Sequence, residues 1–519
     1  MLPSCRQTIT KQLEKQYAVR KAELIEKLCT VDRVCTTADC WTSRRRSFLG
    51  ITVHWIDNET LERKGCCLAV RQVTGRHTYD VLAKLMSAIN EEFAISNKIC
   101  FTVTDSGSNF VKAFKHFGVE EGSESPPASS HRGSTDESDD TDDMEYLELH
   151  DLLQSPPSTN ADEDDDIIYK LPQHWRCACH SLNLVASTDV GKMTDTVKRI
   201  ATQTFAKLQG LWNKQNRSSV ASDKIRRALG SLLITPGETR WNSTYDSMVK
   251  IHQLLANPDT EVKFDKLCEE LDIRRLHPQQ KTFVKEYVDV FKPVCCGLDV
   301  LQGEMDVGLG HLIPTVSVIK GQLTDLLTQN KLSVCGPLVQ LILKGIDKRF
   351  EVMLTNMDAQ LAALVNPKFK MDWVTNEDHR NRLMSILKTK MQNAVSTLSS
   401  DPTQQAVNAE VTSMSETSTA GQKDFFAVLA ARRRQAAAGI GSDVEEELSR
   451  YLSDTSTDIK SLNNYPIIRK LFVHLNTGLP ASAAVERLFS LGGRVFSPLR
   501  SRLSSDHFEM MLFLRCAKF

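Results

Sequence analysis

No Cys-x-x-Cys pair occurs in this chain of 519 residues, although it carries 14 cysteines. The close pairs are Cys66-Cys67, Cys177-x-Cys179 and Cys295-Cys296, and these spacings assemble neither a zinc ribbon nor a finger. No structural zinc is therefore expected. A run of eighteen apolar residues is also missing, and the opening MLPSCRQTITKQLEKQ lacks the apolar segment of a signal peptide. The pattern predicts an unsecreted protein with no membrane partner, its cysteines in a reducing compartment and serving mostly as small buried hydrophobes.

Net charge is nearly absent too, at −1, but this balance conceals a segregation. Between Glu120 and Asp166 there are 17 Asp and Glu against one Arg. Taking these from the totals of 65 acids and 64 bases leaves 48 acids and 63 bases elsewhere, a surplus of 15 positive charges suited to a polyanionic partner. A solvated surface would give the same count. Residues 119–167, with runs such as SPPASS and ADEDDD, have too little apolar surface to offset an ordering cost of about 1–2 kcal/mol per residue. They are expected to be disordered and dispensable for folding. Limited proteolysis should nick this stretch first; protection there while the core is cut would reject the domain division.

With 41% hydrophobic residues the rest can build two or three cores. Thr8–Leu28 reads as an amphipathic helix. Val31–Asp39, Ser47–Ile56 and Cys66–Val73 read as three strands in series, with Arg44, Arg45 and Arg46 in the first turn. Tyr79–Phe93 reads as a helix, Ile99–Thr104 as a strand ending on Asp105, Ser106–Phe117 as a helix, and Trp175–His180 as a fifth strand. This order is that of a ribonuclease-H-like core. From Asp189 to about Met371 nearly everything reads as helix, which implies an all-α domain. A polar linker follows over residues 396–424, then helix again over Phe425–Leu452.

The C-terminal run PASAAVERLFSLGGRVFSPLRSRLSSDHFEMMLFLRCAKF reads as two helices. Val485, Leu488 and Phe489 make one apolar stripe, Gly492 and Gly493 are expected to end that helix, and Asp506 with Glu509 has capping-box spacing for the next. By spacing alone Glu486 is a salt-bridge or capping residue, and Asp39 and Asp105 are turn or N-cap aspartates.

The run Ser482–Arg502, centred on Glu486-Arg487-x-Phe489-Ser490, resembles the C-terminal dimerisation region of hAT-superfamily DNA transposases and of transposase-derived BED-type proteins. That resemblance extends over almost the whole chain. It implies an α/β fold in which a ribonuclease-H-like core is interrupted by a large all-α insertion. The domains would be a helix over 1–30, a core over 31–195, the insertion over 196–460, and a dimerisation region over 461–519 that completes the core. It also implies that Asp39, Asp105 and Glu486 are three catalytic, metal-binding acids. Phosphodiester cleavage needs one oxygen activated and another stabilised as it leaves, and a pair of Mg²⁺ or Mn²⁺ ions suits carboxylate ligands.

Cys177-x-x-His180 matches a family signature, expected here as a structural hydrogen-bonded pair. Arg240-Trp241 matches an Arg-Trp motif that holds a flipped base, so these two are expected to contact DNA together with the Arg44–Arg46 turn. Phe508, Met511 and Leu512 make the last helix apolar on more than one side, and the resemblance places them in a homodimer or higher homo-oligomer. Expected partners are thus double-stranded DNA and a second copy of the chain, in the nucleus. Two departures stand out. The family's zinc-binding BED finger precedes this point, whereas only some thirty residues lie before the first strand, and Leu462-Asn463-Asn464-Tyr465 stands where a Trp-rich segment is common. These favour, as an alternative, a domesticated nuclear dimeric factor that regulates transcription without cutting.

Overall fold

The computed structural model describes residues 6–43, 45–75, 78–118, 169–193, 195–237, 241–398, 443–497, 500 and 502–516. The acidic stretch 120–166, most of the 396–424 linker and the first part of the Phe425–Leu452 helix lie outside these. In chain order the elements are α1 (Arg6–Cys29), β1 (Val34–Ser43), β2 (Arg46–Ile56), β3 (Arg63–Val73), α2 (Tyr79–Glu92), β4 (Ile99–Thr104), α3 (Ser108–Phe117) and β5 (His174–Arg176). Helices follow: α4 (Ala178–Leu184), α5 (Asp195–Arg217), α6 (Ser219–Leu229), α7 (Trp241–Leu255), α8 (Pro258–Glu270), α9 (Pro278–Leu301), α10 (Leu312–Thr328), α11 (Gly336–Thr355), α12 (Met357–Leu364) and α13 (Glu377–Leu398). The chain closes with α14 (443–453), α15 (Pro466–Asn476), α16 (Ala483–Val495) and α17 (Ser505–Cys516). Two compact units result, one of Met1–His54, Gly65–Arg176 and Ala484–Phe519, the other of Trp55–Lys64 and Cys177–Ala483.

The first unit is built on a five-stranded mixed sheet of order β3-β2-β1-β4-β5. β1 runs antiparallel to β2 and parallel to β4, and β4 parallel to β5. β2 is buried without interruption from Phe48 to Ile56, as a strand covered on both faces must be. Polar side chains inside the sheet bond one another: Thr36 of β1 bonds Thr102 of β4 at 2.7 Å, Thr37 of β1 bonds Thr52 of β2 at 2.6 Å, and Thr52 bonds His54 at 2.8 Å. β1 does not stop at Asp39, where its apolar run ends. Pairing with β2 continues to Ser43↔Arg46, so the hairpin rather than hydrophobicity sets the strand's length. The fifth strand is short, His174–Arg176, because Cys177 already caps α4.

The C-terminal helices close this unit. Gly492 and Gly493 do not end α16, which continues through them to Val495. Gly492 instead allows a close approach: a Cβ there would stand 3.2 Å from Phe508 and 3.5 Å from both Leu512 and Trp41. Nor does Asp506 cap α17. The Ser504 hydroxyl accepts from the His507 N–H at 3.3 Å, and Glu509 is turned inward to Arg71. Phe508 and Leu512 are fully buried in a cluster with Phe48, Val70, Val485, Phe489 and Phe496. On another side of α17, Phe513 meets the Tyr17 ring of α1 edge-on at 5.1 Å.

A chain of charges ties four of these elements. Arg71 of β3 donates to Glu509 of α17 at 2.8 Å and to Glu92 of α2 at 2.7 Å, while Lys21 of α1 also pairs with Glu92. Burial raises the Glu509 carboxyl above its ordinary value, with Arg71 pulling against it. Burial acts in the same sense on Glu92, but Lys21 and Arg71 outweigh it and hold that carboxyl low. Arg71→Met would strand Glu509 and leave Glu92 with Lys21 alone. We expect a loss of about 2–3 kcal/mol in urea unfolding. An unchanged midpoint would show that the network contributes nothing net.

From Cys177 to Ala483 the described elements are all helices. α9 is the axis of this second unit, with Phe283, Val284, Tyr287, Val290, Phe291, Val294 and Leu298 buried around it. A Glu286 carboxylate on this helix accepts from the Ser333, Val334 and Cys335 N–H groups and from the Ser333 hydroxyl, all within 2.6–2.9 Å, just ahead of α11. Asp189 receives Arg349 of α11 at 2.6 Å. No helix among the described residues is long and apolar enough to cross a membrane.

Candidate active site

In the first unit, parallel pairing sets Thr36 against Thr102 and Thr37 against Val103. The same offset carried two residues further sets Asp39 of β1 level with Asp105, the residue that follows β4. Neighbouring strands lie about 4.8 Å apart, so the two carboxylates share one end of the sheet. Both act on Cys40, whose thiol is pushed up to about 12 by burial first and then by Asp39 and Asp105. Their own oxygens are anchored locally: Asp39 accepts from the Cys40 N–H at 2.7 Å, and Asp105 from the Gly107 N–H at 3.1 Å.

Glu486 comes to this neighbourhood through α16. Asp39 pairs across the hairpin with Gly50, and a Cβ on Gly50 would lie 2.6 Å from Phe489 and 3.1 Å from Val485. The first turn of α16, with Glu486 next to Val485, therefore rests on the residue opposite Asp39. All three acids are half-buried. Among the described residues no group of three His, Cys, Asp or Glu side chains is placed to hold a metal ion. Carboxylate oxygens such as those of Asp39 and Asp105 are the donor type that hard divalent cations take. Gly50 and Cys40 escaped sequence reasoning, since neither signals anything until the strand register is known.

The remaining candidates separate. Arg46 is half-buried and structural, donating to the Leu503 carbonyl at 2.7 Å with its guanidinium over the Phe496 ring. Arg45 is exposed at the turn, and Arg44 lies outside the described residues. Arg240 does too; Trp241 opens α7, and its side chain is not among those described. In the second unit, Cys177 is fully buried, and its sulfur accepts from the His180 N–H at 3.4 Å and from the Ser482 N–H at 3.3 Å. The Cys-x-x-His pair is thus bonded through the histidine backbone. A bond from the Cys179 thiol, against burial and with help from Ser482, lowers the Cys177 thiol to about 7. Phe508 and Leu512, expected at a dimer contact, are covered by their own chain because the sheet and α16 already fill that side of α17. Of the three, Met511 alone keeps surface.

A family model described as the ZBED1 RNase-like domain matches residues 37–120, and one described as the hAT family C-terminal dimerisation region matches 445–516. The first includes Asp39 and Asp105, the second Glu486. Among known proteins, the chain is 21% identical over 534 residues to "Putative AC transposase" of Zea mays, covering 98% of this chain and 59% of that protein. It is 26% identical over 243 residues to "Putative AC9 transposase" of Zea mays, across 46% of this chain and 24% of that one. A third similarity, 29% over 106 residues, is to "Putative transcriptional regulator tpeD" of Talaromyces stipitatus, across 20% of this chain and 12% of the regulator. The chain thus spans less than two thirds of the length of each of these relatives. The matches define a transposase-like class. Within it, the two matched segments are similar to hAT-family and ZBED-like proteins.

Proposed function

We propose that this protein binds double-stranded DNA in the nucleus as a homodimer and carries out metal-dependent strand cleavage and transfer at a ribonuclease-H-like core. The observation that carries the reading is the strand register that sets Asp39 level with Asp105, with the Glu486 helix seated on Gly50 behind them. Two carboxylates at one level repel each other, and Mg²⁺ or Mn²⁺ relieves that repulsion. Asp39 and Asp105 would hold the ion, and Glu486 would supply the third carboxylate. When bound there, such an ion would supply positive charge for activating an attacking oxygen and stabilising a leaving one. For their part the protein's residues orient the phosphodiester: β1 and β4 fix two carboxylates rigidly, and α16 brings the third from the opposite end of the sequence. Arg45 and the Arg240-Trp241 pair would contact the DNA, the tryptophan by stacking. The 445–516 match supports dimerisation through the C-terminal region.

A second reading, a dimeric DNA-bound regulator without cleavage, is favoured by the similarity to a protein named as a transcriptional regulator. One experiment separates the two. A labelled terminal-repeat duplex is incubated with the protein and Mn²⁺, and strand breaks are measured for the parent, Asp105→Asn and Glu486→Gln. Cleavage reduced about a hundredfold or more in both variants supports the enzyme. DNA binding without any cleavage by the parent supports the regulator, and equal cleavage by all three removes the assignment of the acids.

A further inference from the structure

We propose that Arg45, Arg494, Arg500 and Arg502 form a clamp for the phosphate backbone of DNA lying beyond the carboxylates, with Arg46 as its brace. The inference rests on DNA being the partner, as argued above, and adds a binding surface within the C-terminal region. Two acid-free stretches make it, residues 40–56 and 487–505. They are locked together by Arg46, which donates to the Leu503 carbonyl and lies 5.4 Å over Phe496. Arg45, Arg494, Arg500 and Arg502 are all exposed around that junction, and no described carboxylate pairs with any of them. Arg45 is held at the hairpin tip with φ 64°, a left-handed conformation that is uncommon outside glycine, asparagine and aspartate.

Four exposed guanidiniums around this junction, none with a carboxylate partner among the described residues, repel one another and would be relieved by an anion. Their planar forks match phosphate oxygens bidentately, where an ammonium would offer only a point charge. The position fits as well. β1 leaves Asp39 and reaches Ser43 four residues later, about 13 Å further along the strand, with Arg45 just beyond. Duplex DNA with a phosphate at the carboxylates would therefore present the clamp with backbone about four to six base pairs away, at 3.4 Å per pair. An acidic protein segment could satisfy the charges too, but it lacks a regular run of phosphates at one level, and the test separates the two.

The full chain carrying Asp105→Asn, silent for cleavage, is titrated onto a labelled duplex across a salt series. Added to it, Arg45→Ala, Arg494→Ala, Arg500→Ala and Arg502→Ala together should weaken binding at least about tenfold. The slope of log affinity against log salt should flatten by about 3 to 4, one for each lost phosphate contact. Lysine at the same four positions should restore most of the slope. Should the fourfold alanine protein fail to fold, each single alanine change should still flatten the slope by about one. An unchanged slope and affinity in folded alanine variants overturns the clamp while leaving DNA binding intact. No binding by the Asp105→Asn protein itself removes the DNA reading with it. Loss of the dimer in sedimentation with an unchanged slope also overturns the clamp, marking the face as a subunit contact.

Discussion

Glu286→Gln should destabilise the helical unit by about 3–5 kcal/mol, a large share of the 5–15 kcal/mol that holds a typical domain together. The carboxylate is 5% exposed and accepts four hydrogen bonds, from three consecutive backbone N–H groups and one hydroxyl, at the turn that starts α11. An amide keeps the shape but replaces one accepting oxygen with a donor. Either the Ser333 pair or the Val334 and Cys335 pair then faces an NH₂ group and loses its acceptor, in the second case with the Cys335 N–H buried away from water. Hydrogen bonds to a charged acceptor contribute about 1.5–3 kcal/mol each, so losing two costs about 3–6 kcal/mol, and water at the exposed Ser333 trims the upper end. Calorimetry of the full chain should show one transition moving down and the other staying. A shift in urea midpoint equivalent to less than about 0.5 kcal/mol would mean the site relaxes around the amide.

The same group predicts a pH dependence. Burial alone would raise the Glu286 carboxyl, but the donors from Ser333, Cys335 and Val334 outweigh it and hold it below its ordinary 4.5. A carboxylate lowered by folding contributes stability that is fully present above the unfolded value and lost as pH falls through the folded one. Stability of this unit should therefore decline as pH drops below about 4.5, and the Gln variant should lack that part of the decline. His311 adds to the loss. Burial, then Lys368 and Arg63, lower it to about 4, so between its ordinary 6.5 and 4 the unfolded chain takes up the proton first.

Much of this architecture was legible because local chemistry and tertiary structure agree. The apolar run Ile99–Thr104 ends before Asp105 in the sequence and in the sheet alike, and helices such as Pro278–Leu301 follow their hydrophobic period. Asp39 reads as a strand end because its charge interrupts the run before Cys40 and Trp41, whereas the backbone pairing that carries β1 on to Ser43 has no sequence marker. The Gly492-Gly493 pair reads as a helix stop from propensity, and its true role depends on a helix ring that must come within 3.2 Å. Glu509 looks like a cap from spacing, yet its partner Arg71 is 438 residues away. The apolar excess of α17 was visible, but not what covers it, since a sequence pattern gives the amount of surface to be buried and not the surface that buries it.

Gly50 offers the strongest test of how the two ends of the chain build one site. A methyl added there would stand 2.6 Å and 2.8 Å from the Phe489 ring and 3.1 Å from Val485, closer than carbon atoms tolerate, with fully buried sheet residues on either side. Gly50→Ala should therefore destabilise the first unit by about 1–3 kcal/mol, and Gly50→Val by more. Relief comes by turning the Phe489 ring within its buried cluster or by shifting α16, the helix whose first turn bears Glu486. A displacement of about 1 Å at a reacting centre is enough to cost a hundredfold in rate, so cleavage should fall further than stability does. Phe489→Leu removes the ring atoms that the methyl meets, and the double variant Gly50→Ala/Phe489→Leu should be more stable than the two single changes sum to. Additive effects would mean that Gly50 and α16 are not coupled, and the placement of Glu486 behind Asp39 would lose its support.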